Sequence, residues 1–249
     1  RPADGLRTSD PAVYALVDAR IVVSPGRVIE KGTVVVRDGV IEAVGADVKP
    51  PADARVINLS GKTIYAGLID AFAEVDVPAP TGGARHWNGN ILPQVDVAAA
   101  YQGDAKLNAT LRGQGITARL VAPAAGILKG TSAVVTTADA EAGATIVRSG
   151  VASHGTLTVP RLARRRTAQE YPGSPMGALT LVRQTLLDAQ WQQEANQASA
   201  GDARVPRPER NDALSALGPV IDGSLPMIFD AATELYVLRA DQVAREFGL

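Results

Sequence analysis

Short apolar segments separated by turn residues dominate the first 60 positions of the chain. Runs of this length, rich in Val and Ile, are typical of β-strands. We predict strands at residues 13–17, 20–24, 33–37, 40–44 and 55–59. Asp38 and Gly39 separate the third strand from the fourth, and this pair suits the two positive-φ positions of a type I′ hairpin turn. The pattern therefore predicts a small antiparallel β layer.

The pattern changes after Gly61, where the run GKTIYAGLIDAFAEV shows no alternation of apolar and polar positions. An unbroken apolar run of this kind predicts a parallel strand that is buried on both faces. A loop rich in Pro, Gly and Asn follows at 76–92, and the spacing predicts a helix at 94–113 that ends at Gly113. A second buried strand at 115–123 completes half of a βαβ unit.

The last 120 residues combine short β segments with the clearest helix signal of the chain. Segments at 132–137, 144–148 and 155–159 lie too close together for crossover helices, so we predict a β insertion at about 126–160. Ser174 as N-cap and Pro175 at the first position predict a helix to about residue 198. The remaining predictions are a short helix at 208–217, a strand at 225–229 and a helix at 231–247 that Asp230 caps and Gly248 ends.

Residues 61–75 resemble the first barrel strand of the amidohydrolase superfamily, whose signature is Gly-Lys-x-(hydrophobic)-x-Pro-Gly-Leu-Ile-Asp-x-His-x-His. The matching residues are Gly61, Lys62, Gly67, Leu68, Ile69 and Asp70. Ala66 stands in place of the proline, and Phe72 and Glu74 stand in place of the two histidines. Segments 38–45 and 56–62 follow the family's order and spacing. The segments HWN, YPGSPMGALTLVRQTLLDA and RADQVAREFGL look like those of exported, imidazolonepropionase-like relatives.

The resemblance implies an α/β fold: the N-terminal part of a (β/α)8 TIM-like amidohydrolase barrel at 67–249, preceded by strands of a small β-sandwich at 11–66. A complete barrel takes about 250 residues, and only three of its strands, or at most four, can be placed here. We therefore expect a second polypeptide, a C-terminal fragment or a partner copy to complete the barrel, in a homo- or hetero-oligomer with a large apolar interface. The exported relatives suggest a periplasmic or otherwise exported protein. A first residue that is not Met fits a cleaved exported protein, and a trimmed or disordered leader explains it equally well.

Composition limits the partners and the chemistry. A formal net charge of −1 provides no field for gathering nucleic acid or an acidic membrane surface, and no apolar run is long enough for a membrane helix. With no cysteine, disulfides, thiolate metal sites and cysteine nucleophiles are excluded. The one run of like charges, Arg161 to Arg166, predicts a solvated surface loop, with an anion site or a protease-sensitive loop as alternatives.

The resemblance implies metal-dependent hydrolysis of C–N bonds in small cyclic amides or similar compounds. In the family, the two histidines of strand one hold the metal together with residues of later strands. Phe72 cannot bind a metal, and the chain's two histidines, His86 and His154, have no histidine neighbour at ligand spacing. We therefore predict no metal site and no cofactor in this chain alone, while a divalent metal such as zinc could belong to the complete assembly.

Four residues are candidates for chemistry, each with a simpler interpretation. Glu74 is a candidate oxygen ligand or general base, or else a solvent-facing loop carboxylate. His86 is a candidate acid or base, and Trp87 is a candidate stacking platform for substrate. In the simpler interpretation a buried Trp87 anchors the loop, and His86 is only its neighbour. Asp230 is a candidate at the carboxyl end of its strand, or else only the cap of the helix that follows. The simpler interpretation is preferred in each case.

Two hypotheses follow for the function. In the first, the chain is an amidohydrolase-like module that is inactive alone and serves as a structural half of a larger assembly. In the second, it is part of an active hydrolase whose metal ligands come from the missing C-terminal portion or a partner chain, with Glu74, His86 or Asp230 contributing.

Overall fold

The protein is described by a computed structural model that covers residues 12–139, 142–159 and 171–249. The chain divides into two compact units, Arg1–Gly67 and Leu68–Leu249. Strands and helices together make a mixed α/β fold with several sheets. The predicted arginine run at 161–166 lies outside the described residues. No helix of the described residues has the length and apolar character needed to cross a membrane.

The first unit contains one five-stranded sheet. Its strands are β1 (Val13–Ser24), β2 (Arg27–Arg37), β3 (Val40–Gly45), β4 (Arg55–Asn58) and β5 (Thr63–Tyr65). The order is β3-β2-β1-β4, and β5 also pairs with β1. The predicted hairpin turn is confirmed, because Asp38 and Gly39 have φ values of 50° and 77°.

Two details of this sheet differ from the prediction. The segments predicted as two strands at 13–17 and 20–24 form the single strand β1, whose register with β2 shifts around Asp18 at φ 62°. The layer is also not purely antiparallel, since β4 and β5 pair with β1 in parallel. Apolar periodicity indicates where strands are, but it does not encode the direction of the neighbouring strand.

The second unit contains two sheets. One has the order β10-β9-β7-β6 and contains β6 (Leu68–Val75), β7 (Ile116–Pro123), β9 (Ala133–Thr136) and β10 (Ile146–Arg148). The other has the order β12-β11-β8 and contains β8 (Leu128–Thr131), β11 (Ser153–Thr156) and β12 (Met227–Asp230). Only the pairs β6–β7 and β11–β12 are parallel. The strands predicted as an insertion do not form a sheet of their own: β9 joins β7, and β8 and β11 join β12.

The apolar run predicts that β6 is buried on both faces, and this prediction is wrong. Among the described strands β6 pairs with β7 alone, and its residues Leu68, Ile69 and Phe72 are 59%, 70% and 46% exposed. Asp70, the aspartate of the motif, accepts a hydrogen bond of 2.9 Å from Nε of the buried Arg119 on β7. Exposed apolar side chains thus lie along an unpaired strand edge in the part of the chain that the structure describes.

Within the described ranges, six α-helices accompany the sheets. They are α1 (Val97–Ala100), α2 (Ala105–Gly113), α3 (Pro175–Gly201), α4 (Asp212–Ala216), α5 (Gly218–Ile221) and α6 (Glu234–Phe247). A 3₁₀ turn spans Ala142–Thr145. The helix predicted at 94–113 is divided in two, because the Asp104 carboxylate accepts from the backbone N–H groups of Lys106 and Leu107 and so starts a new helix.

The long helix α3 is confirmed with its cap. The Ser174 hydroxyl accepts a hydrogen bond of 3.2 Å from the Gly177 N–H, and Pro175 stands in the first turn. Val182, Leu186 and Ala189 of this helix are buried in the main core. That core also contains Leu128 of β8, so α3 packs against the sheet that carries the candidate site.

Candidate functional site

A cavity of about 190 Å³ opens between strands of the second unit. Its lining comes from β6, β8, β11 and β12, at Phe72, Lys129, His154 and Asp230 among others. Three of these four side chains are titratable, and they stand beside aromatic and aliphatic neighbours. A concave, partly apolar pocket with a few convergent polar groups is the arrangement expected of a small-molecule site.

An ion pair joins the two sheets next to the cavity. The Lys129 ammonium donates a hydrogen bond to Oε1 of Glu74, so β8 is bound to β6. Lys129 is buried, whereas the Glu74 side chain is 40% exposed. The predicted loop position of Glu74 is wrong, because Glu74 lies in a strand, and its partly exposed carboxylate neutralises a buried cation. Burying an ammonium without such a partner is strongly unfavourable.

His154 is the most deeply buried polar group of the cavity. Its residue is 2% exposed, and its ring is stacked on the Phe72 ring with centroids 5.8 Å apart. Burial lowers the pKa of His154 to about 4, and the charge of Lys129 acts in the same direction while Glu74 opposes it. The imidazole is therefore neutral at pH 7. Its Nε2 atom is buried and has no hydrogen-bond partner in the part of the chain that the structure describes.

Local backbone irregularity accompanies Lys129. The pairing of β8 with β11 shifts register between His154 and Gly155, as in a β-bulge. Bulges re-aim side chains and are frequent beside active sites. The next residue, Gly130, has φ +110°, and a Cβ atom there would overlap the carbonyl oxygen of Val95. Glycine is therefore required where β8 passes the segment before α1.

Asp230 ends β12 and lines the cavity. Its predicted capping role is wrong: α6 starts four residues later, at Glu234, and its N-cap residue is Thr233. Asp230 is exposed, and within the described residues its carboxylate has neither a hydrogen bond nor an ion pair. The simpler interpretation of this aspartate is thereby removed, and its place at the carboxyl end of a strand beside the cavity remains.

The prediction that a buried Trp87 anchors the loop is wrong. Trp87 is 70% exposed, whereas His86 is buried and its Nδ1 accepts a hydrogen bond of 3.1 Å from the Asn88 N–H. Burial lowers the pKa of His86. The Asn88 side chain donates to the Tyr171 carbonyl at 2.8 Å, so His86 and Asn88, rather than Trp87, anchor this loop. Trp87 stacks near Tyr171, with ring centroids 6.4 Å apart, and neither His86 nor Trp87 lines the cavity.

The fold thus brings together two of the predicted residues, Glu74 and Asp230, and adds Lys129 and His154, which were not among the candidates. Asp230 lines the cavity and Glu74 binds one of its lining residues, while His86 and Trp87 lie elsewhere. Lys129 and His154 were overlooked as a pair, because they are 25 positions apart in sequence and meet only through the pairing of β8 with β11. One available signal was a lysine directly after the apolar residues Ile127 and Leu128, where an unpaired charge is unexpected.

The residues around the cavity do not fit a divalent metal. Among the described residues, no group of three or more His, Cys, Asp or Glu side chains is arranged to hold a metal ion. The carboxylate of Glu74 is already bound to the Lys129 ammonium, whose charge repels a cation. Phe72, the other residue at the position of the family's histidine pair, offers no ligand atom.

A larger cavity of about 370 Å³ lies between α3 and the helices α4 and α5. Its lining is made of amides and small residues, including Gln192, Gln193, Asn196 and Gln197, and holds no titratable side chain. Acid–base chemistry requires a group that exchanges protons near neutral pH. The smaller cavity is therefore the better candidate.

No family model and no curated protein matches the sequence. One solved structure superposes on 95% of this chain with a TM-score of 0.73 and 18% sequence identity. That protein is an amidohydrolase from Thermotoga maritima MSB8. The likeness shows that the two share a fold, and this chain covers 62% of the length of that amidohydrolase chain. A putative prolidase from Bifidobacterium longum aligns with 43% of this chain and 22% of its own at 22% identity, and its TM-score of 0.26 carries no argument.

Proposed function

We propose that this chain is the N-terminal part of an amidohydrolase-superfamily protein of the imidazolonepropionase-like, exported kind. In this proposal a (β/α)8 barrel begins at β6 and is preceded by strands of a β-sandwich. The chain has no metal site of its own and serves as a structural half of a larger assembly. The amidohydrolase fold and the match of Gly67 to Asp70 with the first-strand signature support the assignment.

The observation that carries the proposal is the pair of contacts made by Phe72 and Glu74. In the family these two positions belong to metal-binding histidines. Here Phe72 stacks on His154, and Glu74 neutralises Lys129. Both contacts join the two sheets, and the Lys129 ammonium beside Glu74 repels a cation. The residues that replace the histidines thus have a structural task.

Exposed apolar surface supports the second part of the proposal, that another polypeptide segment covers this chain. β6 has an open edge, and on α6 three aliphatic side chains are more than half exposed: Leu235, Val237 and Leu238. Soluble proteins rarely leave such residues clustered in solvent. Since the chain spans 62% of the similar amidohydrolase, we propose that the rest of the barrel covers them. It would be a continuing C-terminal segment, a second polypeptide or a partner copy.

Leu238 provides the test of this surface. Leu238→Glu places a charge on the proposed interface and is expected to lower the assembled fraction at least about tenfold, since an unpaired charge in an interface is costly. Val147→Glu is the matched control, because Val147 is 63% exposed on β10, away from α6. Sedimentation velocity reads out the assembly. A chain that is monomeric and cooperatively folded alone, with both variants unchanged, would contradict the proposal.

One observation favours the alternative, an active hydrolase to which this chain contributes. Asp230 has no capping role and stands at the carboxyl end of β12, the end of a barrel strand at which active sites are built. Its carboxylate is available to the reaction, while the ligands of a metal such as zinc would come from the missing portion of the barrel.

Metal content and activity of the native assembly separate the two hypotheses. If the chain is a structural half, Glu74→Gln and His86→Gln leave both the metal content and the hydrolysis of small cyclic amides unchanged within about twofold. The glutamine at position 74 keeps an acceptor for Lys129, which limits the loss of stability. Stoichiometric zinc, measured by plasma mass spectrometry, that disappears together with activity in these variants would overturn the structural role.

A further inference from the structure

Two residues that line the cavity, His154 and Lys129, have hydrogen-bonding capacity that a ligand could use. Most buried polar atoms in proteins are hydrogen-bonded, so the free Nε2 of His154 marks a place where a polar atom of a ligand fits. Lys129 has three N–H donors, and Glu74 is the one acceptor with which it pairs among the described residues. Both residues line the cavity, and both side chains carry hydrogen-bond donors.

The negatively charged residue Asp230 lies two strands away from Lys129 in the same sheet. Lys129 belongs to β8 and Asp230 to β12, with β11 and His154 between them. Neighbouring strands are about 4.8 Å apart, so the backbones of β8 and β12 are separated by about 10 Å. Both residues line the cavity, so a molecule that contacts Lys129 and Asp230 at once needs only a few atoms between its two ends.

Size and wall chemistry narrow the ligand further. A volume of 190 Å³ corresponds to about six water molecules at about 30 Å³ each, and it is smaller than the range of about 300–1,000 Å³ of typical drug-sized sites. The cavity also has an apolar lining that includes Phe72, Ile228 and Phe229. A fitting molecule therefore has few heavy atoms, one anionic end, one cationic end and a small apolar part.

We propose that the cavity bounded by Phe72, Lys129, His154 and Asp230 binds a free α-amino acid with a small side chain. The carboxylate accepts hydrogen bonds from Lys129 and from Nε2–H of His154, in the tautomer that carries its proton there. The α-ammonium donates to Asp230, and the side chain contacts the apolar wall. The site goes beyond the proposed structural role, and it makes the assembly responsive to a metabolite whether or not the assembly hydrolyses a substrate.

Calorimetric titration of the purified assembly at neutral pH tests the site with L-alanine, propionate and ethylamine. Propionate lacks the ammonium and ethylamine lacks the carboxylate, so each loses one charge-assisted contact. We expect L-alanine to bind at least about tenfold more tightly than either compound, because such a contact is worth more than a neutral hydrogen bond. No L-alanine binding at about 10 mM, a concentration that detects even weak sites, would overturn the proposal. Equal affinities for the three compounds would overturn it as well.

Asp230→Asn identifies the contact that selects the ammonium. Asp230 is exposed and bonded to no described residue, so the variant is expected to fold normally, with an unchanged melting temperature. Its affinity for L-alanine should fall to that of propionate, while the affinity for propionate stays the same. Asp222→Asn is the control, since Asp222 does not line the cavity and its carboxylate accepts hydrogen bonds from the neighbouring Ser224. An Asp230→Asn variant that binds L-alanine as tightly as the original protein contradicts the assignment, even if the wild-type chain binds alanine.

These outcomes are distinguishable from those of the proposed function. Failure of L-alanine binding leaves the fold, the interface and the metal content unaffected. Conversely, zinc in the native assembly would revise the structural role without changing the response of Asp230→Asn.

Discussion

Glu74→Met is expected to destabilise the chain by about 2–3 kcal/mol, measured as the free energy of unfolding in urea at pH 7. The substitution leaves the Lys129 ammonium in the protein interior without the only acceptor it has among the described residues. Removing one partner of a fully buried pair costs about 3–5 kcal/mol. The expected loss is smaller here because Glu74 is 40% exposed and water can approach the pair.

Replacing Lys129 instead of Glu74 is expected to cause only a small loss of stability. This difference between the two variants tests whether Glu74 acts as the counter-ion of a buried ammonium. Lys129→Met leaves Glu74 without a cation, but an exposed carboxylate can be hydrated, so we expect a loss below about 1 kcal/mol. The double variant Glu74→Met with Lys129→Met should recover most of the stability, since apolar replacement of a buried pair is often neutral. Glu246→Gln, which breaks the surface pair with Arg183, is the control and should change stability by about 1 kcal/mol or less. A double variant that is no more stable than Glu74→Met contradicts the role of Glu74 as a counter-ion.

Local signals in the sequence predicted the local features of the fold. The Asp38-Gly39 turn, the Ser174 cap of α3 and the left-handed Gly248 at the end of α6 each depend on residues within a few positions of one another. The errors concern interactions between distant segments. The parallel pairing of β4 with β1, and the joining of β9 to β7, are decided by packing that no short window of sequence contains.

The candidate site shows the same division. Glu74 and Asp230 were found because each belongs to a recognisable pattern, a first-strand motif and a strand end. Their surroundings were not predictable in the same way, because Lys129 and His154 reach the cavity through a bulged pairing of two short strands. The exposure of Trp87 and the burial of His86 were also misjudged, since the large aromatic residue is ordinarily the better anchor.

The free energy of unfolding is expected to fall by about 2 kcal/mol between pH 7 and pH 5 through His154 alone. The folded chain holds the pKa of His154 at about 4, whereas the unfolded chain restores the ordinary value near 6.5. Between these two values the unfolded state binds the proton and the folded state does not, so stability rises with pH across this window. The full contribution is present above pH 6.5, and it is lost progressively as the pH falls toward 4.

His154→Gln removes this titration and should flatten the pH dependence of urea unfolding between pH 7 and pH 5. His86→Gln is the comparison, because burial lowers the pKa of His86 in the same direction and that residue adds its own share to the wild-type slope. Most carboxylates titrate below this window, so histidines dominate it. A His154→Gln variant with the full wild-type slope would show that His154 is not held neutral in the folded chain. The slope therefore reports directly on the buried, uncharged imidazole on which the binding site depends.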